Sequence, residues 1–395
     1  MKLNKEKWER TTLDNCCDFY RGVVFSKKDE VDKNGYAILR SHNVDFEESK
    51  ISLHNLKYVS TEIKVKEEQR LKKNDILISV ANSKEQTGKV GFSWDDTNTY
   101  AGGFMAILTP KYKIEPFYLF LYLLTNKSKD FIAGRTQGTT NIFNITFERI
   151  KDLPIPLPPL SEQKQIAALF QSIDTAMEQV EKQEEKLKEL RKNLINKLNK
   201  KNPQFGKAIK PESCKEYSIG DIATERKDRT DNPSTSGFDK FIGLEDFETG
   251  ELFIQKFSST KKLVSAMRLC KKGDVLFARR NAYLKRASLT KFDAVCSGDV
   301  IVMEVNPKII LPEFLILVMN TDAFWDFAIA NAAGTMSKRV KWRDLATYSF
   351  DLPDIETQAK ILKVFNQLEG ALTQLKNHKE TLKLLKQKLL NEILG

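Results

Sequence analysis

The stretch Leu157-Pro158-Pro159-Leu160-Ser161-Glu162-Gln163-Lys164-Gln165-Ile166 is met again 195 residues later as Leu352-Pro353-Asp354-Ile355-Glu356-Thr357-Gln358-Ala359-Lys360-Ile361. Both times, prolines that enforce an extended backbone lead into a segment with helical spacing. Working outward, Gly138-Thr139-Thr140 pairs with Gly334-Thr335-Met336, and residues 116–125 pair with 312–321, both at offset 196. Lys72-Lys73-Asn74-Asp75-Ile76-Leu77 pairs with Lys271-Lys272-Gly273-Asp274-Val275-Leu276 at offset 199, and Leu13 and Asn15 correspond to Ile219 and Asp221 at 206. The chain therefore reads as two copies of one unit. Between the anchors the copies diverge: residues 21–70 and 222–268 share almost nothing, nor do 78–100 and 277–296. A duplicated scaffold is expected to carry two different surfaces.

Each unit ends in heptads. In the first, Ile166, Ile173, Val180, Leu187 and Leu194 recur every seven residues, with Leu169, Ala176, Gln183, Leu190 and Lys197 as a second row. In the second copy the rows are Ile361, Leu368, Leu375, Leu382 and Leu389, then Val364, Ala371, His378, Leu385 and Glu392. More than four heptads predict a coiled-coil seam, narrowed at Ala176 and Ala371 and polar at Gln183 and His378, with each helix as the other's partner. A leucine stripe alone is ordinary core; its duplication makes it organising. Ser161 and Asp354 read as N-caps of helices over 160–200 and 355–394, each about 55–60 Å long. Upstream, 75–80, 104–109, 274–278 and 300–305 read as strands, and 117–124 and 313–320 as short buried helices. Each half is thus an α+β globule followed by a long helix.

The chain has 395 residues with Lys+Arg 64 and Asp+Glu 53, a net charge of +11. At 41% hydrophobic it can bury several cores, which excludes intrinsic disorder. The longest apolar runs, at 117–124 and 314–319, fall far short of the roughly 20 residues of a membrane helix, and residues 1–10 are too polar for a signal peptide, so no membrane association and a cytoplasmic location are expected. Five cysteines without CxxC spacing and three histidines give no expectation of a disulfide framework or a zinc site.

The long helices are nearly neutral: residues 161–200 carry net +1 and 356–395 net +3, leaving +7 elsewhere. In the second half the basic residues cluster in two runs expected to be loops. From Arg279-Arg280-Asn281-Ala282-Tyr283-Leu284-Lys285-Arg286 the candidate contacts are Arg279, Arg280, Asn281, Tyr283, Lys285 and Arg286; from Ser337-Lys338-Arg339-Val340-Lys341-Trp342-Arg343 they are Lys338, Arg339 and Lys341. Cations interleaved with Asn, Ser and Tyr suit phosphate contacts and base-edge hydrogen bonds, although any single run could be plain solvated surface. Trp342 aligns with Phe147 and is read as core. In the first half the polar loops are Arg40-Ser41-His42-Asn43, Ala81-Asn82-Ser83-Lys84-Glu85-Gln86 and Gly134-Arg135-Thr136-Gln137-Gly138-Thr139-Thr140-Asn141. Their candidate contacts are Arg40, Ser41, His42, Asn43, Ser83, Lys84, Gln86, Arg135, Gln137, Thr139 and Thr140.

Residues 134–140 lack the Lys of a phosphate loop. Asn202-Pro203-Gln204-Phe205 is close to the Asn-Pro-Pro-Phe of amino-methyltransferases, but no Gly-rich cofactor loop precedes it. GxSxG, HExxH and Walker patterns are missing. The expectation is a binder without chemistry of its own. A coiled-coil scaffold with two protein-binding globules is the alternative, and a self-contained methyltransferase or nuclease a third reading.

On residues 153–163 with the following helix, the degenerate copy at Asp351-Leu352-Pro353, Gly138-Thr139-Thr140, Asp75-Ile76-Leu77 and Gly35-Tyr36-Ala37-Ile38-Leu39-Arg40, the chain resembles the specificity subunit of type I restriction-modification systems over essentially its whole length. That resemblance implies an α+β fold: target-recognition domains at 1–152 and 201–352, helical spacers at 153–200 and 353–395, and the two long helices packed as an antiparallel coiled coil. It implies double-stranded DNA as ligand, one half of a bipartite, asymmetric target per domain. It further implies modification (methyltransferase) subunits as partners, usually two, docked on the helices, with restriction subunits joining them. No cofactor is then expected on this chain; S-adenosylmethionine, ATP and Mg would belong to the partners.

Overall fold

The computed structural model describes residues 5–139, 142–198, 214–335 and 337–395. It divides into two compact units, one of residues 1–180 with 378–395 and one of residues 181–377. Each unit holds one globule, the beginning of that globule's own long helix, and the end of the other long helix.

The first globule is built on an antiparallel sheet in the order Cys17–Arg21, Met105–Pro110, Ile76–Ser79, Val90–Phe92. The second repeats it as Ala223–Glu225, Val300–Val305, Val275–Ala278, Ala287–Leu289. Ile76–Ser79 and Val275–Ala278 are buried along their whole length, which is why Ile76-Leu77-Ile78 and Val275-Leu276-Phe277 read as continuous apolar runs instead of alternating ones. Against the sheets lie the buried helices Pro116–Leu123 and Pro312–Met319, each with proline at its start. The threonines closing the repeated runs act alike in the two copies. Thr125 caps the next helix through Ser128 N–H, and Thr321 does so through Phe324 N–H.

The stretches without sequence likeness share topology. Tyr36–Leu39 runs parallel to Thr99–Ala101 in one globule, and Lys240–Ile242 runs parallel to Ala294–Cys296 in the other, each within a second small sheet. The divergence read from the sequence is therefore one of side chains on a common backbone plan.

The proline-rich entry forms a two-stranded ladder with the chain's start, Pro154–Leu157 against Glu9–Thr12; the second copy pairs Ser349–Leu352 with Lys215–Ser218. Pro154 and Pro156 cannot donate to a further strand. Their carbonyls instead accept the buried hydroxyls of Tyr122 and Tyr118, each at 2.6 Å.

The long helices run over Leu160–Asn196 and Ile355–Leu394. Asp354 caps the second as expected, its Oδ1 accepting Thr357 N–H at 2.8 Å. Ser161 does not cap the first. That helix starts one residue earlier, and the amides of Glu162 and Gln163 bond back to the Pro159 carbonyl. In the first unit Ile166, Phe170 and Ile173 share one core with Leu390, Ile393 and Leu394; in the second, Ile195 and Leu198 share one with Ile361, Leu362 and Phe365. The beginning of each long helix thus packs beside the end of the other, an antiparallel pairing.

The first heptad rows face this seam: Ile166, Ile173, Val180 and Ile361 are buried, and Leu187, Leu194, Leu368, Leu375, Leu382 and Leu389 half-buried. The second rows, apart from Leu169, do not. Gln183, Leu190, Val364, His378 and Leu385 are exposed, and Ala176 and Ala371 lie at the edge. The second inward row lies four residues after the first, not three: Gln163, Phe170, Met177, Glu184, Arg191 and Leu198 in one helix, Gln358, Phe365, Leu372, Lys379, Lys386 and Ile393 in the other. Charged residues in this row disguise it. Arg191 is buried, bound to Glu369 at 2.8 Å and to the Gly250 carbonyl at 2.9 Å, and Lys386 pairs with Asp174. The repeat offset of 195 carries Asp174 to Glu369 and Arg191 to Lys386, so the two pairs are copies of one design. Among the described residues no helix is long and apolar enough to cross a membrane.

Candidate nucleic-acid interface

In each globule the chain leaves the central sheet strand into one of the polar segments singled out above. In the first, Ile76–Ser79 is followed by Ala81–Asn82, which pairs with the hairpin Gln137–Thr139 and Ile142–Asn144. Residues expected to be a loop at 134–141 are therefore partly strand, because Asn82 and Ala81 provide a ladder for Phe143 and Asn144. Arg40-Ser41-His42-Asn43 closes on the same place: Ser41 Oγ accepts from Asn82 Nδ2 and lies 3.2 Å from Ser79 Oγ. Three segments far apart in sequence thus meet around Asn82.

Within this group the side chains divide by role. Asn43 is only 1% exposed; its amide donates to the carbonyls of Ser52 and His54, and its Oδ1 accepts Arg40 N–H at 3.0 Å. It holds the turn and does not face outward, which corrects its assignment as a contact residue. Asp246 occupies the corresponding turn of the second globule and accepts Gly243 N–H at 2.7 Å. Arg40 reaches His42 and the Asn55 carbonyl; His42, Lys84 and Gln137 are exposed; Ser83 is half-buried. Gln86 accepts from Lys89 at 2.7 Å, and burial pushes the Lys89 ammonium below its ordinary range. Arg135 stacks on Phe131 with its guanidinium carbon 3.4 Å from the ring centroid. Thr139 lies in the first hairpin strand; Thr140 and residues 202–205 lie outside the described residues.

In the second globule the two basic runs are brought side by side. Arg280 and Arg339 form a β-bridge, Asn281 N–H donates to the Lys338 carbonyl, and Val340 N–H donates to that of Arg279. Between them sits Asp299, bound to Arg339 through both oxygens at 2.8 and 3.3 Å, with Arg280 at 4.0 Å. Arg339 foremost, then Arg280 and Arg279, hold the Asp299 carboxyl below the usual carboxylate range. Arg280 Nε also donates to Ser337 Oγ at 2.7 Å, and Arg286 donates to the Leu244 carbonyl at 2.9 Å. Arg286 is pushed down by burial. Asn281 and Lys285 are left-handed (φ 56° and 49°), bracketing a tight turn that exposes Tyr283. Lys285 is turned toward Asp322 at 3.1 Å. Lys338 and Lys341 are exposed, whereas Trp342 packs against the core, as Phe147 does in the first copy.

The two places are equivalent. Val80 N–H donates to the Phe104 carbonyl at 2.9 Å, and Arg279 N–H donates to that of Asp299 at 3.0 Å. Asn82 and Asn281 then match at offset 199. Asn82, Phe104 and Asp299 are not among the sequence candidates; the Asn82/Asn281 match is a legible signal for the first of them. One backbone site presents hydroxyl, amide and apolar groups in the first globule and a guanidinium cluster in the second. Side chains of these kinds hydrogen-bond to base edges and pair with phosphates.

A family model described as "Type I restriction modification DNA specificity domain" matches residues 5–189 and again 211–385. The chain belongs to that family. Both specificity-domain matches run from the start of a globule well into a long helix, as the repeat does. Among curated relatives, the putative type I restriction enzyme MjaX specificity subunit of Methanocaldococcus jannaschii is 27% identical, over 98% of this chain and 93% of its own. The EcoKI specificity subunit of Escherichia coli K12 is 24% identical, over 92% and 82%. The crystal structure of an S subunit from M. genitalium covers 100% of this chain and 98% of its own at a TM-score of 0.54 and 17% identity. A chain from a structure of the type I system that describes complex assembly and conformational transition covers 99% and 98% at 0.60 and 14%. The α+β fold read from the sequence is shared with both. As a specificity subunit the chain is the non-catalytic, DNA-recognising component of its system.

Proposed function

We propose that this chain reads a bipartite, asymmetric duplex DNA target, one half with each globule, and directs adenine methylation and restriction by partner subunits that carry S-adenosylmethionine, ATP and Mg. One observation carries the bipartite reading: equivalent positions on two copies of one scaffold hold different side chains, as two different half-sites require. The basic cluster around Asp299 supplies phosphate contacts, and the Asn82 face of the first globule hydrogen-bond readout.

The modification subunits dock on the long helices, two per chain in this reading. Support comes from the outward heptad rows, which repeat an exposed leucine at the same place in each copy: Leu190 is 46% and Leu385 43% exposed. Leucines held out of the seam at two equivalent positions suit two copies of one partner.

The test is to produce the chain with its modification partner and map N6-methyladenine genome-wide. A bipartite motif that vanishes without this chain is expected, and exchange of residues 1–150 for another specificity subunit's domain should alter one half of it only. Changes in both halves would overturn the assignment of one half-site per globule.

A further inference from the structure

At offset 195 the strand Met105–Pro110 corresponds to Val300–Val305, which sets Phe104 opposite Asp299. The backbone at the two residues does the same work, each carbonyl accepting the amide at the end of the central strand. The side chains do opposite things. Asp299 is spent holding Arg339, whereas Phe104 is 68% exposed and makes no ring contact among the described residues. Packing does not account for a phenylalanine here, and the burial that normally stabilises an aromatic is forgone.

Its surroundings point to a ligand. Ala81 N–H also donates to the Phe104 carbonyl, at 3.3 Å, so the Phe104 backbone lies against the segment that carries Asn82, on which Ser41 closes. On its other side Gly103 runs so close to Val24 that a Cβ there would lie 3.5 Å from the Val24 Cα, and Val24 is itself 83% exposed. Two exposed apolar residues thus lie close together beside backbone that carries hydroxyl and amide groups. A lone exposed apolar residue is ordinary surface; a pair beside hydrogen-bonding groups on a nucleic-acid face matches a duplex surface that is itself mixed. The major groove offers one apolar feature among its donors and acceptors, the 5-methyl group of thymine.

We infer that Phe104, flanked by Val24, reads a thymine methyl group in the half-site bound by the first globule, while the equivalent place in the second globule, through Asp299, positions Arg339. The inference rests on the DNA-reading function proposed above. Burying one methyl group is worth roughly fourfold in affinity.

The complex of the full chain with its modification partner is first used to obtain the methylated motif. Duplexes carrying that motif are then compared with duplexes in which single thymines, on either strand, are replaced by uracil, which lacks only the methyl. Wild type should lose roughly fourfold in affinity at one thymine of one half-site. Phe104→Ala should bind the thymine duplex more weakly and no longer discriminate, whereas Phe104→Leu, which keeps an apolar contact, should retain part of the difference. Because the ring is exposed, thermal unfolding of Phe104→Ala should match wild type. A motif whose thymines can all be replaced without effect, or a Phe104→Ala protein that still discriminates, would overturn the inference alone; absence of any bipartite motif would overturn the function on which it rests.

Discussion

Gln163 and Gln358 lie in the two proline-to-helix joints and are fully buried. Gln358 accepts Leu311 N–H at 2.9 Å and donates to the carbonyls of Pro353 and Ile309; Gln163 accepts Glu115 N–H at 2.9 Å and donates to that of Pro158. Each amide ties the first turn of a long helix to the start of the buried helix beneath it. Gln358→Leu removes those bonds and leaves backbone groups buried without partners, each worth about 1–3 kcal/mol. The urea midpoint should fall accordingly; an unchanged midpoint would show the amide idle. At the second globule's surface, Asp299 has a folded pKa below its unfolded value, because Arg339 pairs with it. Its contribution is therefore present above the ordinary carboxylate pKa of about 4 and lost as pH falls through the lower, folded value. Since the pair is partly exposed, that contribution is at most about 1 kcal/mol. Asp299→Asn should flatten the loss of stability as pH falls below the ordinary carboxylate range by that amount, and weaken DNA binding by freeing Arg339 from its position.

At the scale of the element, the heptads are legible in sequence and their phase is not. One row, Ile166 to Leu194 and Ile361 to Leu389, is correct because it is wholly aliphatic. The second is expected three residues on, where leucines are visible, whereas the inward row lies four on and contains Arg191 and Lys386. Those charges are tolerated inside because Glu369 and Asp174 face them across the seam, and no single-helix pattern reveals a partner on another helix. The two rows make opposite predictions. Phe170→Ala, in the true seam, should cost about 3–5 kcal/mol in chemical denaturation. Leu190→Gln should change stability by less than about 0.5 kcal/mol, yet weaken association with the modification subunit in co-purification, as should Leu385→Gln. Equal stability losses for Phe170 and Leu190 would put the Leu190 row back in the seam.

For the whole molecule, each compact unit borrows the end of the other unit's long helix, so the helices serve as members of both cores and as the connection between them. Adding seven residues to each helix, after Val180 and after Asn377, keeps the heptad phase and lengthens each helix by about 10 Å. The unspecified spacer of the methylated motif should grow by roughly three base pairs at 3.4 Å per pair, with both half-sites unchanged. An unaltered spacer would show that the helices do not measure the separation.

Sequence by itself determined the duplication, the strands and buried helices of the shared scaffold, the two long helices and the family, because these rest on local periodicity, on prolines, and on repeats that any reader of the chain can align. Tertiary structure alone decided which heptad row is buried, that Asn43 holds a turn, that Arg280 and Arg339 meet over Asp299, and that three segments of the first globule converge on Asn82 beside an exposed Phe104. Apart from Asn43, whose side-chain amide reaches carbonyls 9 and 11 residues on, those facts depend on more distant partners, up to 212 residues away in the chain. A side chain's local pattern records its helix or strand, whereas what it touches across the fold is set by packing that no local pattern encodes.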